Sequence, residues 1–87
     1  MSMRNEFEEL IDDIAEDMGA MGSDVEYCRR DLVDLLEESA AMNRTPRTVC
    51  TMAHFVLARR LGTEGVTPNF IDEVAARVAV GYETMGD

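Results

Sequence analysis

Lysine and tryptophan are absent from these 87 residues, and cysteine, histidine and proline number only two, one and two. All eight basic residues are therefore arginine, set against eighteen acids for a net charge of −10. Such a surface repels phosphate and attracts basic proteins, so direct binding to nucleic acid is not expected. No apolar run approaches the roughly 20 residues of a membrane span; the longest lies within residues 49 to 58. The stretch MSMRNEFEEL is too acidic for a secretory signal peptide. With so few cysteines, a cytoplasmic chain carrying reduced thiols is the expectation. A Gly-rich phosphate loop, an EF-hand spacing and a nucleophile elbow are all missing, which leaves no enzyme chemistry and no cofactor to predict.

What is present is apolar residues at helical spacing. Nearly half the chain is hydrophobic and the apolar positions extend over its whole length, which excludes a disordered acidic tail and predicts a single helical domain over 1–87. Met3, Phe7, Leu10, Ile11, Ile14, Met18 and Met21 form one stripe of a first amphipathic helix near residues 4 to 20. A second stripe, Val25, Cys28, Leu32, Leu35, Leu36 and Met42, predicts a helix near 24 to 42. Ser23 and Glu26 offer it a capping box, and Asn43 can close it. Thr45-Pro46 and Thr67-Pro68 each place a capping hydroxyl before a proline, where the missing amide is no loss. They predict third and fourth helices near 46 to 61, closed by Gly62, and near 68 to 84.

The third helix contains VCTMAHFVLA, apolar on nearly every side. Such a helix is either central or covered by a partner. The predicted fold is thus all-α, a compact four-helix bundle with a central third helix in which Val49, Met52, Ala53 and Val56 are buried.

The charge is concentrated at one end. Residues 6 to 17, EFEELIDDIAED, hold seven carboxylates and no basic residue. On a helical wheel Glu9, Asp12, Asp13 and Glu16 lie about opposite the apolar stripe, with Glu6, Glu8 and Asp17 on the flanks. Pairs such as 9/13 and 12/16 are like charges at i,i+4, each costing an isolated helix about 0.2 to 0.5 kcal/mol. On the second helix Tyr27, Asp31, Asp34 and Glu38 line a comparable outward face, where a tyrosine among acids suits an interface. These eight residues are the expected partner-binding set, against the alternative of a solvated face met by the chain's own arginines.

Three other constellations carry less. Cys50 and His54 sit at i,i+4 with Cys28 as a conceivable third ligand, an incomplete set for a metal and one without an orienting group for a nucleophile. Arginines at 29, 30, 44, 47, 59 and 60 suggest a helix-turn-helix, but the apolar third helix makes a poor groove reader. The start GSDVEY lacks the Asp-Ser-Leu order of acyl carrier proteins. The reading that remains is a non-catalytic protein-protein interaction module, an inhibitor or adaptor acting as a nucleic-acid mimic on a basic protein or nucleoprotein complex. Phage and mobile-element inhibitors, including anti-CRISPR proteins, are one setting by analogy of size and charge. The alternative is a homodimeric structural or regulatory subunit whose acidity serves solubility. Neither involves a membrane.

Overall fold

The computed structural model describes residues 3–62 and 65–86, and it is all-helical, with no strand among them. Five α-helices follow one another: α1 (Met3–Asp17), α2 (Gly22–Tyr27), α3 (Arg29–Ala41), α4 (Pro46–Leu61) and α5 (Pro68–Gly86), with a 3-10 turn over Gly19–Met21. None is long and apolar enough to cross a membrane.

The caps follow from local chemistry. Thr45 Oγ1 accepts the backbone amide of Thr48 at 3.2 Å, and Thr67 Oγ1 accepts that of Phe70 at 3.3 Å, so both proline-led starts form as expected. Asn43 adopts a left-handed φ of 55°, the conformation that ends a helix at little cost for asparagine. Gly62 behaves otherwise: it stays right-handed at φ −58° and donates to Ala58 O, while Gly65, like Gly19 after α1, is left-handed.

The expected second helix is two helices. Cys28 sits at φ −94° and ψ 0° between α2 and α3, its amide bonded to Val25 O, and the bend lets both Val25 and Cys28 be fully buried. Ser23 is not a cap, because α2 starts one residue earlier, after the 3-10 turn, and Met21 at its N-cap makes no side-chain bond. Gly22 explains the close approach: a Cβ there would collide with the carbonyl oxygen of Ala15, so the start of α2 rests directly on the backbone of α1.

Packing closes a circuit in which α1 meets α3, α3 meets α4, α4 meets α5 and α5 returns to α1, with α2 laid on α1. Inside it lie Phe7, Ile11, Ile14, Leu32, Leu36, Val49, Leu57, Leu61, Val74 and Val78. Burying a large aliphatic side chain of this kind contributes about 1.5 to 3 kcal/mol. Tyr82 fastens the far end of α5, its hydroxyl lying 2.7 Å from Arg44 O and 3.0 Å from Ser39 O. With one proton the hydroxyl donates to one carbonyl at a time.

The third predicted helix, α4, is not enclosed on all sides. Val49, Ala53 and Leu57 are buried at successive turns, but Met52 and Val56 are only partly covered and Phe55 is 70% exposed. Its buried strip is one residue wide per turn because its main neighbours, α3 and α5, lie on that side, and among the described residues the side carrying Phe55 is left open. Met42, Met3 and Met21, placed on apolar stripes by periodicity, are likewise exposed at helix ends.

Candidate functional site

The chain's arginines decide which acids stay available. Arg29, on the first turn of α3, reaches across to α1, donating through Nε to Asp12 Oδ1 at 2.8 Å and through Nη2 to Asp12 Oδ2 at 3.0 Å. This two-pronged geometry is the strong form of arginine-carboxylate pairing. It holds the Asp12 carboxyl below its ordinary value, while burial, and next the neighbouring Asp12, raise that of Glu26. Glu8 also faces Arg29, at 3.3 Å. Asp12 was expected to point outward with Glu9, Asp13 and Glu16; it faces α3 instead, because the helix is rotated to put Ile11 and Ile14 into the core.

The second predicted stripe is paired along most of its length. Asp31 accepts from Arg60 Nε, Asp34 from Arg4 Nη1 at 3.0 Å, and Glu38 from Arg44 Nη2 at 2.8 Å. Arg4 also bonds Glu37. Tyr27 is 59% exposed, and the Arg60 guanidinium lies over its ring at 5.5 Å from the centroid, a cation-π contact within the chain. The structure thus brings Tyr27, Asp31 and Asp34 beside α4 and α1 and satisfies them there.

Glu9, Asp13 and Glu16 do stay outward and form no ion pair with any described residue, and Glu6 joins them. Residues 6, 9, 13 and 16 step by three and four, so these four carboxylates form a continuous line along α1. Glu6 was placed on the flank by the wheel. Its spacing from Glu9 and Asp13 was readable, but the loss of Asp12 to Arg29, which recentres the line, was not.

Beside the line runs a groove between α1 and α5. It consists of two hollows of about 440 and 490 Å³ that share Leu10, Asp13 and Gly81. Its upper part is rimmed by Glu6, Glu9 and Thr84 and its lower part by Asp17, Glu73 and Arg77, with Val80 and Met85 contributing apolar surface. Gly81 lets Leu10 pack closely onto α5, since a Cβ there would meet the methyl groups of Leu10, and the two form the apolar floor of the groove. Arg77 is engaged by Asp17 and Glu73, each at 3.3 Å. No sequence signal singled out Val80; exposure of 65% on a helix this apolar depends on which neighbours the fold supplies.

A separate hollow of about 580 Å³ lies between α3 and α4, with Leu35, Met52 and Val56 in it, the acids Asp31, Asp34 and Glu38 on one edge, and Arg59 and Arg60 on the other. His54 Nε2 is 2.7 Å from Asp72 Oδ1 on α5, so the ring has an orienting partner that its sequence neighbourhood did not reveal. Cys28 is buried at the α2–α3 bend and Cys50 is partly covered, both as free thiols. No group of three metal-ligating side chains comes together among the described residues.

No protein-family model, curated protein or solved structure matches the chain.

Proposed function

We propose that the chain is a non-catalytic binding module, acting in the cytoplasm, whose acidic α1 face covers a basic, nucleic-acid-binding surface of a partner protein or nucleoprotein complex. The observation that supports this is the uneven sharing of arginine. Five arginines neutralise acids on α1, α2, α3 and α5, while Glu6, Glu9, Asp13 and Glu16 form no ion pair among the described residues and stand in one line. Desolvating that line against Lys or Arg of a partner would relieve its internal repulsion and give a salt-dependent, fast association. The chain would act by occupying the surface that phosphate otherwise takes, as an inhibitor or adaptor does; a phage-borne inhibitor of a host nuclease is one setting. We read the circuit of α1, α3, α4 and α5 as a four-helix bundle that presents α1, with α2 as an appendage.

The test is affinity capture of the partner from the native host, then measurement of its affinity for wild type and for the Glu6→Gln, Glu9→Gln, Asp13→Asn, Glu16→Gln variant at low and moderate salt. The expected result is weaker binding by the variant and a flatter salt dependence. Equal affinities at both salt concentrations would mean that the line is only solvated.

A second reading, self-association into a homodimer, is favoured by Phe55. An aromatic ring 70% exposed beside Met52 and Val56 is an apolar surface that a second copy could cover. Sedimentation of wild type and Phe55→Ser at micromolar concentration tests it, with a monomeric wild type defeating it.

A further inference from the structure

We infer that the groove between α1 and α5 seats an amphipathic helix of the partner, its apolar side inward and its Lys or Arg side chains along the α1 rim. This rests on the α1 face being a docking surface, and goes further by naming what docks. Three observations on different residues meet here. Val80, at mid-length on α5, is aliphatic yet 65% exposed among the described residues. Gly81 next to it lets the Leu10 side chain lie against α5, so the floor between the two helices is apolar. Glu6, Glu9 and Asp13 stand on the rim with no ion-pair partner among the described residues, because Arg77, which lines the groove, is engaged by Asp17 and Glu73.

The spacing selects a helix as occupant. Rim acids three and four residues apart stand about 4.5 and 6 Å apart along α1. Basic side chains at i, i+3 and i+7 of a helix lying alongside repeat at the same intervals. A strand, with same-face side chains about 6.6 Å apart, falls out of step with the shorter interval. Duplex nucleic acid is repelled by the rim. The mode is an amphipathic helix laid into a groove, with apolar anchors at i, i+3 and i+7 meeting Leu10, Val80 and Met85. The α5 wall, about 28 Å long at 19 residues, accommodates about four turns of such a helix.

The probe is a synthetic helical peptide of about four turns with leucines on one face and lysines along its edge, compared with a scrambled peptide of identical composition. Titrations use the intact chain at moderate salt, with backbone NMR shifts to locate the site. The helical peptide should bind about tenfold or more tightly than the scrambled one, shifting residues around Leu10 and Val80. Val80→Glu is the decisive variant. It adds a negative charge beside a cationic ligand, so pure charge attraction predicts tighter binding, whereas an apolar seat predicts binding weaker by several-fold. Its folding is checked by circular dichroism, and Val80→Ser, which adds no charge, serves as a second variant expected to weaken binding as well.

If helical and scrambled peptides bind alike and Val80→Glu binds more tightly, the groove inference is overturned and the acidic docking reading stands. If neither peptide binds, or if the variant lacking the four α1 acids binds as well as wild type, both fall. Shifts confined to Met52, Val56 and Phe55 would place the peptide in the α3–α4 hollow and overturn the inference as well.

Discussion

At the scale of residues, the neighbouring carboxyls of Asp12 and Glu26 are shifted in opposite directions. Asp12 is held below its ordinary 3.8 chiefly by its hydrogen bond to Arg29, and Glu26 is raised above its ordinary 4.5 chiefly by burial. The two act oppositely on stability. Asp12's contribution is present above 3.8 and is lost as pH falls through its lowered value. Glu26's contribution is full below 4.5 and is lost as pH rises through its raised value. Acidification from neutrality should therefore first add stability as Glu26 takes up a proton and then remove it as Asp12 does. Urea denaturation from pH 7 down to about 3 should show that rise and fall, and Glu26→Gln, neutral throughout, should lack the first part. The two thiols differ as sharply. Burial pushes Cys28 up to about 11, so almost no thiolate exists at neutral pH, whereas Cys50 is only partly covered. A thiol reagent under native conditions should label Cys50 well before Cys28, and both at once in denaturant. Early native labelling of Cys28 would show that the α2–α3 bend opens readily.

At the scale of helices, two glycines make opposite predictions. Gly22 meets the backbone oxygen of Ala15, which cannot move without shifting α1 against α2, while Gly81 meets only the flexible tips of Leu10. Gly22→Ala should destabilise the fold by about 1 to 3 kcal/mol, the usual cost of overpacking. Gly81→Ala should be close to neutral, since the gain in helix propensity of about 1 kcal/mol offsets the displacement of Leu10. Thermal melts of both variants check this, and equal losses would mean that α5 packs on α1 as rigidly as α2 does. Exposure of Phe55 belongs to the same scale: an all-round apolar helix needs neighbours on every side, and α4 packs mainly on α3 and α5, which leave Phe55 uncovered.

For the whole molecule the governing quantity is the net charge of −10. Salt should stabilise the chain by screening repulsion among the acids, most of all along α1. Replacing Glu6, Glu9, Asp13 and Glu16 by their amides removes several like-charge neighbours, each i,i+4 pair worth about 0.2 to 0.5 kcal/mol. Glu6, in the first turn of α1, partly offsets this through its favourable interaction with the helix dipole. The variant should thus melt at an equal or slightly higher temperature than wild type in low salt, and the two should converge as salt is raised. A clear loss of stability at every salt concentration would show that these acids have structural partners and would remove the basis for a docking face.

Short-range information settled the all-helical class and several helix ends. Thr45 and Thr67 cap because each hydroxyl reaches an amide three residues on, Asn43 turns the chain because asparagine tolerates a positive φ, and the spacing of Phe7, Ile11 and Ile14 picks out the core face of α1 without reference to anything distant. The acidity of the first helix was equally legible. The packed structure alone decided which acids remain free, because Arg29 reaches Asp12 over 17 residues and Arg4 reaches Asp34 over 30, and such pairings depend on how helices rotate and lean rather than on their own spacing. It likewise decided that the second apolar stripe bends at Cys28, that α4 keeps Phe55 in solvent, and that a groove with Val80 exposed on its wall runs beside Glu6, Glu9 and Asp13. Each of these depends on where a neighbouring helix stops, and a periodic pattern carries no record of its neighbour's length or tilt.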